Sequence, residues 1–152
     1  KNLYASTADV PEEPYTIPFG EANIVREGGD ATIVTYGQMV GRSLEAAEML
    51  KKDGIEVEVI DLRTLSPIDM ETVLESVENT GRLICVDEAN PRCSIAADIA
   101  ANVAQDGFDA LKAPIQMVTP PHAPVPFSPA LEDIYVPSAA RIAAAVRKTL
   151  EN

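Results

Sequence analysis

The stretch VEVIDLRTLSPIDMETVLESVENTGRLICVDEA, residues 57 to 89, constrains the fold more than any other part of the chain. VEVIDLR (57–63) is a nearly continuous apolar run rich in β-branched residues, so it reads as a strand core buried on both faces. SPIDMETVLESVENTG then places Met70, Val73, Leu74 and Val77 at i, i+3, i+4 and i+7, one apolar helix face. Ser66 is expected to cap that helix, with Pro67 in its first turn, Asp69 completing a capping box and Gly81 ending it. RLICVDEA (82–89) is a second buried strand. Strand, amphipathic helix and strand form the repeating unit of an α/β sheet covered on both faces.

The alternation runs on in both directions. Ile24–Glu27 and Ala31–Tyr36 are short β-rich runs. Residues 40–52 read as a helix with Val40, Leu44, Ala47 and Met49–Leu50 inward, stopped by Asp53-Gly54. Ser94–Gln105 is an alanine-rich helix with Ile95, Ile99 and Val103 stacked, IQMVT (115–119) is a strand, and a last helix spans Ser138 to Leu150. No internal repeat is visible. Residues 1–20, with Pro11, Pro14 and Pro18 and no amphipathic period, read as an extended linker, leaving 21–152 as one domain. The start at Lys1, without a signal pattern, is read as a fragment or a processed chain.

Composition narrows the function classes. Of 152 residues, 24 are acidic and 12 basic, a net charge of −12 that repels phosphate backbones and argues against nucleic-acid binding. The acidic surface serves solubility or faces a basic partner protein. No apolar run approaches the ~18 residues of a membrane span. Cys85 and Cys93 lack metal or disulfide spacing, so reduced thiols in a cytoplasmic protein are expected, with Cys85 buried in a strand.

Phosphate-cradling glycine loops, GxSxG and HExxH are all absent. The remaining candidates are the carboxyl ends of strands, where ligands favour the point at which strand order reverses. These are Tyr36-Gly37-Gln38, Asp61–Arg63 and the adjacent pair Asp87-Glu88. Asp87 and Glu88 either perturb each other's ionisation as an acid or base, or cap the next turn and pair with Arg92. Arg63 is expected to pair with a local carboxylate or to contact another subunit. TPPHAPVPFSPALEDIYVPS (119–138) holds the only histidine, His122, and is too apolar for a solvated tether. It reads as an ordered extended arm pinned by its apolar side chains, and His122 has no orienting partner or nucleophile in sequence.

EEPYTIP (12–18), ATIVTYGQMV (31–40), VEVIDLRTLSPID (57–69) and TGRLICVDEA (80–89) resemble one family. It is the carboxyl-terminal domain of the β subunit of thiamine-diphosphate-dependent 2-oxo acid dehydrogenases, the transketolase-like group. DEANPRCSIAADIA looks most like the acetoin dehydrogenase branch, with pyruvate dehydrogenase next. The resemblance implies a three-layer α/β/α domain with a five-stranded, mostly parallel sheet in the order 1-3-2-4-5, strand 1 antiparallel. It implies thiamine diphosphate, with magnesium, bound in the full complex outside this domain, so no catalytic, cofactor or metal residue is assigned here. The partners implied are a second β subunit, an α subunit and the lipoyl acyltransferase core. Docking of a small basic module of that core is expected near Glu151 and Asn152, whereas Lys112 stands where relatives often carry aspartate. His122, Phe127 and Tyr135 are the expected subunit-interface residues. The rival readings are a piece of transketolase or deoxyxylulose phosphate synthase, and a freestanding α/β ligand-binding module.

Overall fold

The computed structural model describes residues 2–5, 7 and 9–151. Five strands, β1 (Asn23–Arg26), β2 (Ala31–Thr35), β3 (Val57–Asp61), β4 (Leu83–Val86) and β5 (Gln116–Val118), form one sheet in the order β1-β3-β2-β4-β5. β1 pairs antiparallel with β3, and the other pairings are parallel. This is the sheet that the resemblance implies. Helices α1 (Gln38–Lys51) and α5 (Ala139–Leu150) cover one face, and α2 (Met70–Thr80) and α3 (Ile95–Asp106) cover the other.

Period-two alternation along the strands divides the core. Ile33, Val59, Ile84 and Val118 face α1 and α5, whereas Val34, Ile60, Leu62 and Cys85 face α2 and α3. Burial on both faces explains why the central strands read as unbroken apolar runs. One polar cluster crosses this apolar layer. Thr32 Oγ1 lies 2.6 Å from Ser76 Oγ and 2.8 Å from Thr80 Oγ1, tying α2 to β2.

Three helix expectations need correction. The buried residues of α1 are Met39, Ser43, Ala46, Ala47 and Leu50, while Val40 and Leu44 are half-buried and Met49 is exposed. The inward face is therefore turned toward small side chains, which let α1 lie close against α5. Helix α2 begins at Met70, and Asp69 is its cap rather than a residue of its first turn. Asp69 accepts from Thr72 N at 3.1 Å, Thr72 Oγ1 at 2.8 Å and Ala22 N at 2.8 Å, so one carboxylate both caps α2 and anchors the approach to β1. Burial opposes the charge on Asp69, but the three donors outweigh it and hold the carboxyl below its usual range. Finally, the 119–138 segment is not extended throughout: Pro129–Tyr135 form a short helix, α4, with Pro129 in its first turn.

Two glycines are dictated by space. A Cβ on Gly28 would sit 2.2 Å from the carbonyl carbon of Val57, so the GGD turn lies directly against the start of β3. Gly81 ends α2 at φ 76°, where a Cβ would also meet the Lys112 side chain at 2.5 Å.

Candidate functional site

β2 and β4 are adjacent and parallel, and their following helices leave to opposite faces. Their carboxyl ends therefore form the reversal point of the sheet. Here the fold joins two residue groups about fifty positions apart in sequence. Tyr36 Oη donates to Asp87 Oδ1 at 2.8 Å, and Gln38 Nε2 donates to Glu88 Oε2. Asp87 is 1 % exposed and also accepts from Ala89 N at 2.8 Å and from Ala96 N at 3.4 Å. Its oxygens are thus spent on the turn after β4, the start of α3 and the Tyr36 phenol. The capping role holds, but no ion pair to Arg92 forms among the described residues.

The electrostatics follow from that packing. Burial, then the hydrogen bond to Asp87, pushes the Tyr36 phenol well above its usual range, so it remains a proton donor. Partial desolvation, then the charges of Asp87 and Glu132, raise the carboxyl of the largely exposed Glu88. Burial pushes the Cys85 thiol up to about 12, which leaves it inert behind the site.

A cleft of ≈ 450 Å³ opens beside this cluster, with Gln38 and Arg42 of α1 on one side, Glu132 and Asp133 of α4 on the other, and Ser138 at its end. Two carboxylates, Glu132 and Asp133, line it against one guanidinium, Arg42, a balance that does not suit a diphosphate. No group of three or more His, Cys, Asp or Glu side chains able to hold a metal ion occurs among the described residues. The lining of this cleft therefore does not fit thiamine diphosphate and its magnesium, and no reaction step is assigned through that group here. Among the described residues lining the cleft, the one hydroxyl, Ser138, accepts from Arg141 N and is hydrogen-bonded to no base.

Other residues singled out from sequence lie elsewhere. Asp61 and Arg63 end β3 outside the cluster; Arg63 N donates to Asp61 Oδ1 at 3.1 Å, and its side chain pairs with no carboxylate among the described residues. Arg63 also sits at φ 56°, unusual for a residue with a side chain. His122 is exposed and has no hydrogen bond or ion pair among the described residues. Phe127 is fully exposed, while Tyr135 is 7 % exposed, its hydroxyl donating to Ala123 O at 2.8 Å and lying 3.2 Å from the Asn90 side-chain amide. Glu151 is exposed, and Asn152 lies outside the described residues. Arg42, Asn90, Glu132 and Asp133 were not anticipated. The available signals were the one-turn spacing of Gln38 and Arg42, and Pro129 as a helix start.

The arm's apolar side chains do not pin it to this domain. Val125, Phe127, Leu131 and Ile134 are 65 %, 103 %, 56 % and 76 % exposed. Prolines deny this segment the hydrogen bonds of the sheet, and α4 turns only Tyr135 inward.

A three-layer sheet of this strand order, with an antiparallel edge and a proline-rich crossing before the last helix, defines a class. Residues 20–142 match the family model described as transketolase, C-terminal domain, and the chain belongs to that family. The chain is 70 % identical over 151 residues to the β subunit of acetoin:2,6-dichlorophenolindophenol oxidoreductase of Cupriavidus necator, covering 99 % of this chain and 45 % of that protein. It is 47 % identical over 150 residues to the pyruvate dehydrogenase E1 component β subunit of Bacillus subtilis, covering 98 % and 46 %. A solved split-gene transketolase, described as an inactive β4 tetramer, matches with a TM-score of 0.79 at 30 % identity, covering 95 % of this chain and 46 % of that one. The chain thus spans less than half the length of these relatives.

Proposed function

We propose that this domain is the assembly and partner-docking part of the β subunit of a thiamine-diphosphate-dependent dehydrogenase acting on acetoin, within a complex that passes an acyl group to lipoamide. The observation that carries this reading is the 70 % identity across almost the whole chain to an acetoin oxidoreductase β subunit, against 47 % to a pyruvate dehydrogenase one. The transketolase reading has 30 % identity behind it.

Thiamine diphosphate and magnesium belong, in this proposal, outside the domain, which supplies surfaces and not chemistry. The partners are a second β subunit, an α subunit and the acyltransferase core, in the cytoplasm. Exposed Val125, Phe127, Leu131 and Ile134, with His122 beside them, offer a face for a neighbouring subunit. The net charge of −12, with Glu151 and Asn152 at the carboxyl end, suits a basic module of the core.

The test is reconstitution of the full-length β subunit with its α subunit, followed by dye reduction with acetoin or pyruvate. Higher kcat/KM with acetoin is expected; preference for pyruvate would reverse the substrate assignment. Calorimetry of this domain with thiamine diphosphate should show no heat of binding, and micromolar binding would overturn the division of labour. Binding of the basic module should weaken as salt rises.

A further inference from the structure

The cleft at the carboxyl end of the sheet has one wall fixed to the core and one that is not. Gln38 and Arg42 project from α1, whose inner face is packed, and Ser138 caps α5 through Arg141 N at 3.3 Å. The facing wall, Pro129, Glu132 and Asp133, is part of residues 121–135. In that segment every residue except Pro126, Glu132 and Tyr135 is exposed.

The segment's hydrogen bonds turn back on itself. Ala123 N donates to Pro121 O at 2.8 Å, Leu131 N and Glu132 N donate to Ser128 O at 3.0 and 2.9 Å, and Tyr135 Oη donates to Ala123 O at 2.8 Å. Among the described residues, one contact of hydrogen-bond length joins it to anything beyond residues 119–138, that between Tyr135 Oη and the Asn90 side-chain amide at 3.2 Å. The amide supplies the proton there, because the phenol's own goes to Ala123 O. Both ends are firm. Arg141 Nη2 donates to Thr119 O at 2.7 Å, Thr119 and Pro120 are buried, Val136 packs on the α1–α5 core and Pro137 is buried.

We infer that residues 121–135 form a flap that opens as a local unit over the cleft, held at Thr119–Pro120 and Val136–Pro137 and latched by Tyr135 on Asn90. The free energy of a local opening follows the apolar burial and hydrogen bonds it breaks. Opening the flap exposes one tyrosine ring and breaks one bond to the body. Opening α5 instead strips Ile142, Ala143 and Val146 from the core. Pro121, Pro124, Pro126 and Pro129 leave the segment few backbone donors of its own, so once it leaves the body little holds α4 together and its amides exchange. Opening widens the cleft between Arg42 and Glu132 and moves Phe127, Leu131 and Ile134 together. The flap does not depend on the assembly reading above, since it rests on contacts within one chain.

Hydrogen–deuterium exchange with mass spectrometry on the isolated full-length subunit tests it. Amides of 131–136 should exchange more than about tenfold faster than those of 142–150, a gap of the size that one weak latch against a buried helix face gives. Asn90→Ala and Tyr135→Phe should each speed exchange in 121–136 by about fivefold, leaving β4 and α5 unchanged. Combining the two should add nothing to Tyr135→Phe, because both break the same latch. Exchange in α4 as slow as in α5, variants without effect on 121–136, or equal acceleration across the whole domain would each overturn the flap.

Discussion

VEVIDL (57–62) and APVPFSPALEDI (123–134) both carry large apolar side chains, yet they end in opposite environments. Val57, Val59, Ile60 and Leu62 are 0 % exposed, whereas Val125, Phe127, Leu131 and Ile134 are all more than half exposed. The difference lies in the backbone and not in hydropathy. β3 pairs with β1 on one edge and β2 on the other, and helices close over both of its faces. Residues 123–134 hold Pro124, Pro126 and Pro129, which remove donors from any ladder and keep the segment off the sheet. An apolar sequence becomes core where its backbone can pair, and surface where it cannot.

The sharpest break of this comparison is truncation on each side of it. Leu62→Ala should cost about 2–5 kcal/mol of unfolding free energy. Phe127→Ala should cost less than about 0.5 kcal/mol in the isolated subunit. Urea denaturation reads both, and similar losses would mean that the segment is core after all. Next comes Gly28→Ala, which forces a Cβ into the Val57 carbonyl and should cost about 1–3 kcal/mol through backbone shifts at the edge of β3. Thermal unfolding would show it; an unchanged midpoint would mean that the turn has room to move.

A smaller effect separates the anchored approach to β1 from the lightly held flap. Asp69→Ala removes the α2 cap and the Ala22 anchor together and should cost about 1 kcal/mol. Because folding lowers the Asp69 pKa, its contribution is present above the unfolded carboxylate value of about 3.9 and is lost as pH falls through the folded one. The wild type and the variant should therefore converge in stability in acid. Smallest is Glu88→Gln. Folding raises the Glu88 pKa, so its charge opposes folding above the unfolded value of about 4.3 and has no effect below it. Glu88 is exposed and well screened, so the variant should gain only a few tenths of a kcal/mol at neutral pH and nothing in acid.

The order of strands and helices was legible because buried strands and amphipathic helices leave different periods. The phase of α1 was not, since Ser43 and Ala46 are buried for their size at a close helix crossing, which hydropathy does not register. At α2, Ser66, Pro67 and Asp69 all satisfied a start pattern, and only the reach of Asp69 to Ala22 and Thr72 distinguishes the real cap. Pro129 hid α4 by making the whole segment look extended. Tyr36 and Asp87 were each visible as strand ends, but their contact depends on β2 lying beside β4, which came from the family resemblance and not from local pattern. Asn90 and Tyr135 meet across 45 residues, and no spacing rule links them.

Sedimentation of the full-length subunit carrying Phe127→Ser and Ile134→Ser, with its thermal midpoint measured alongside, addresses the central claim most directly. A surface reserved for a neighbouring subunit predicts a smaller assembled mass with the midpoint of the dissociated chain unchanged. An assembly that survives both substitutions, or a midpoint that falls with them, would contradict it.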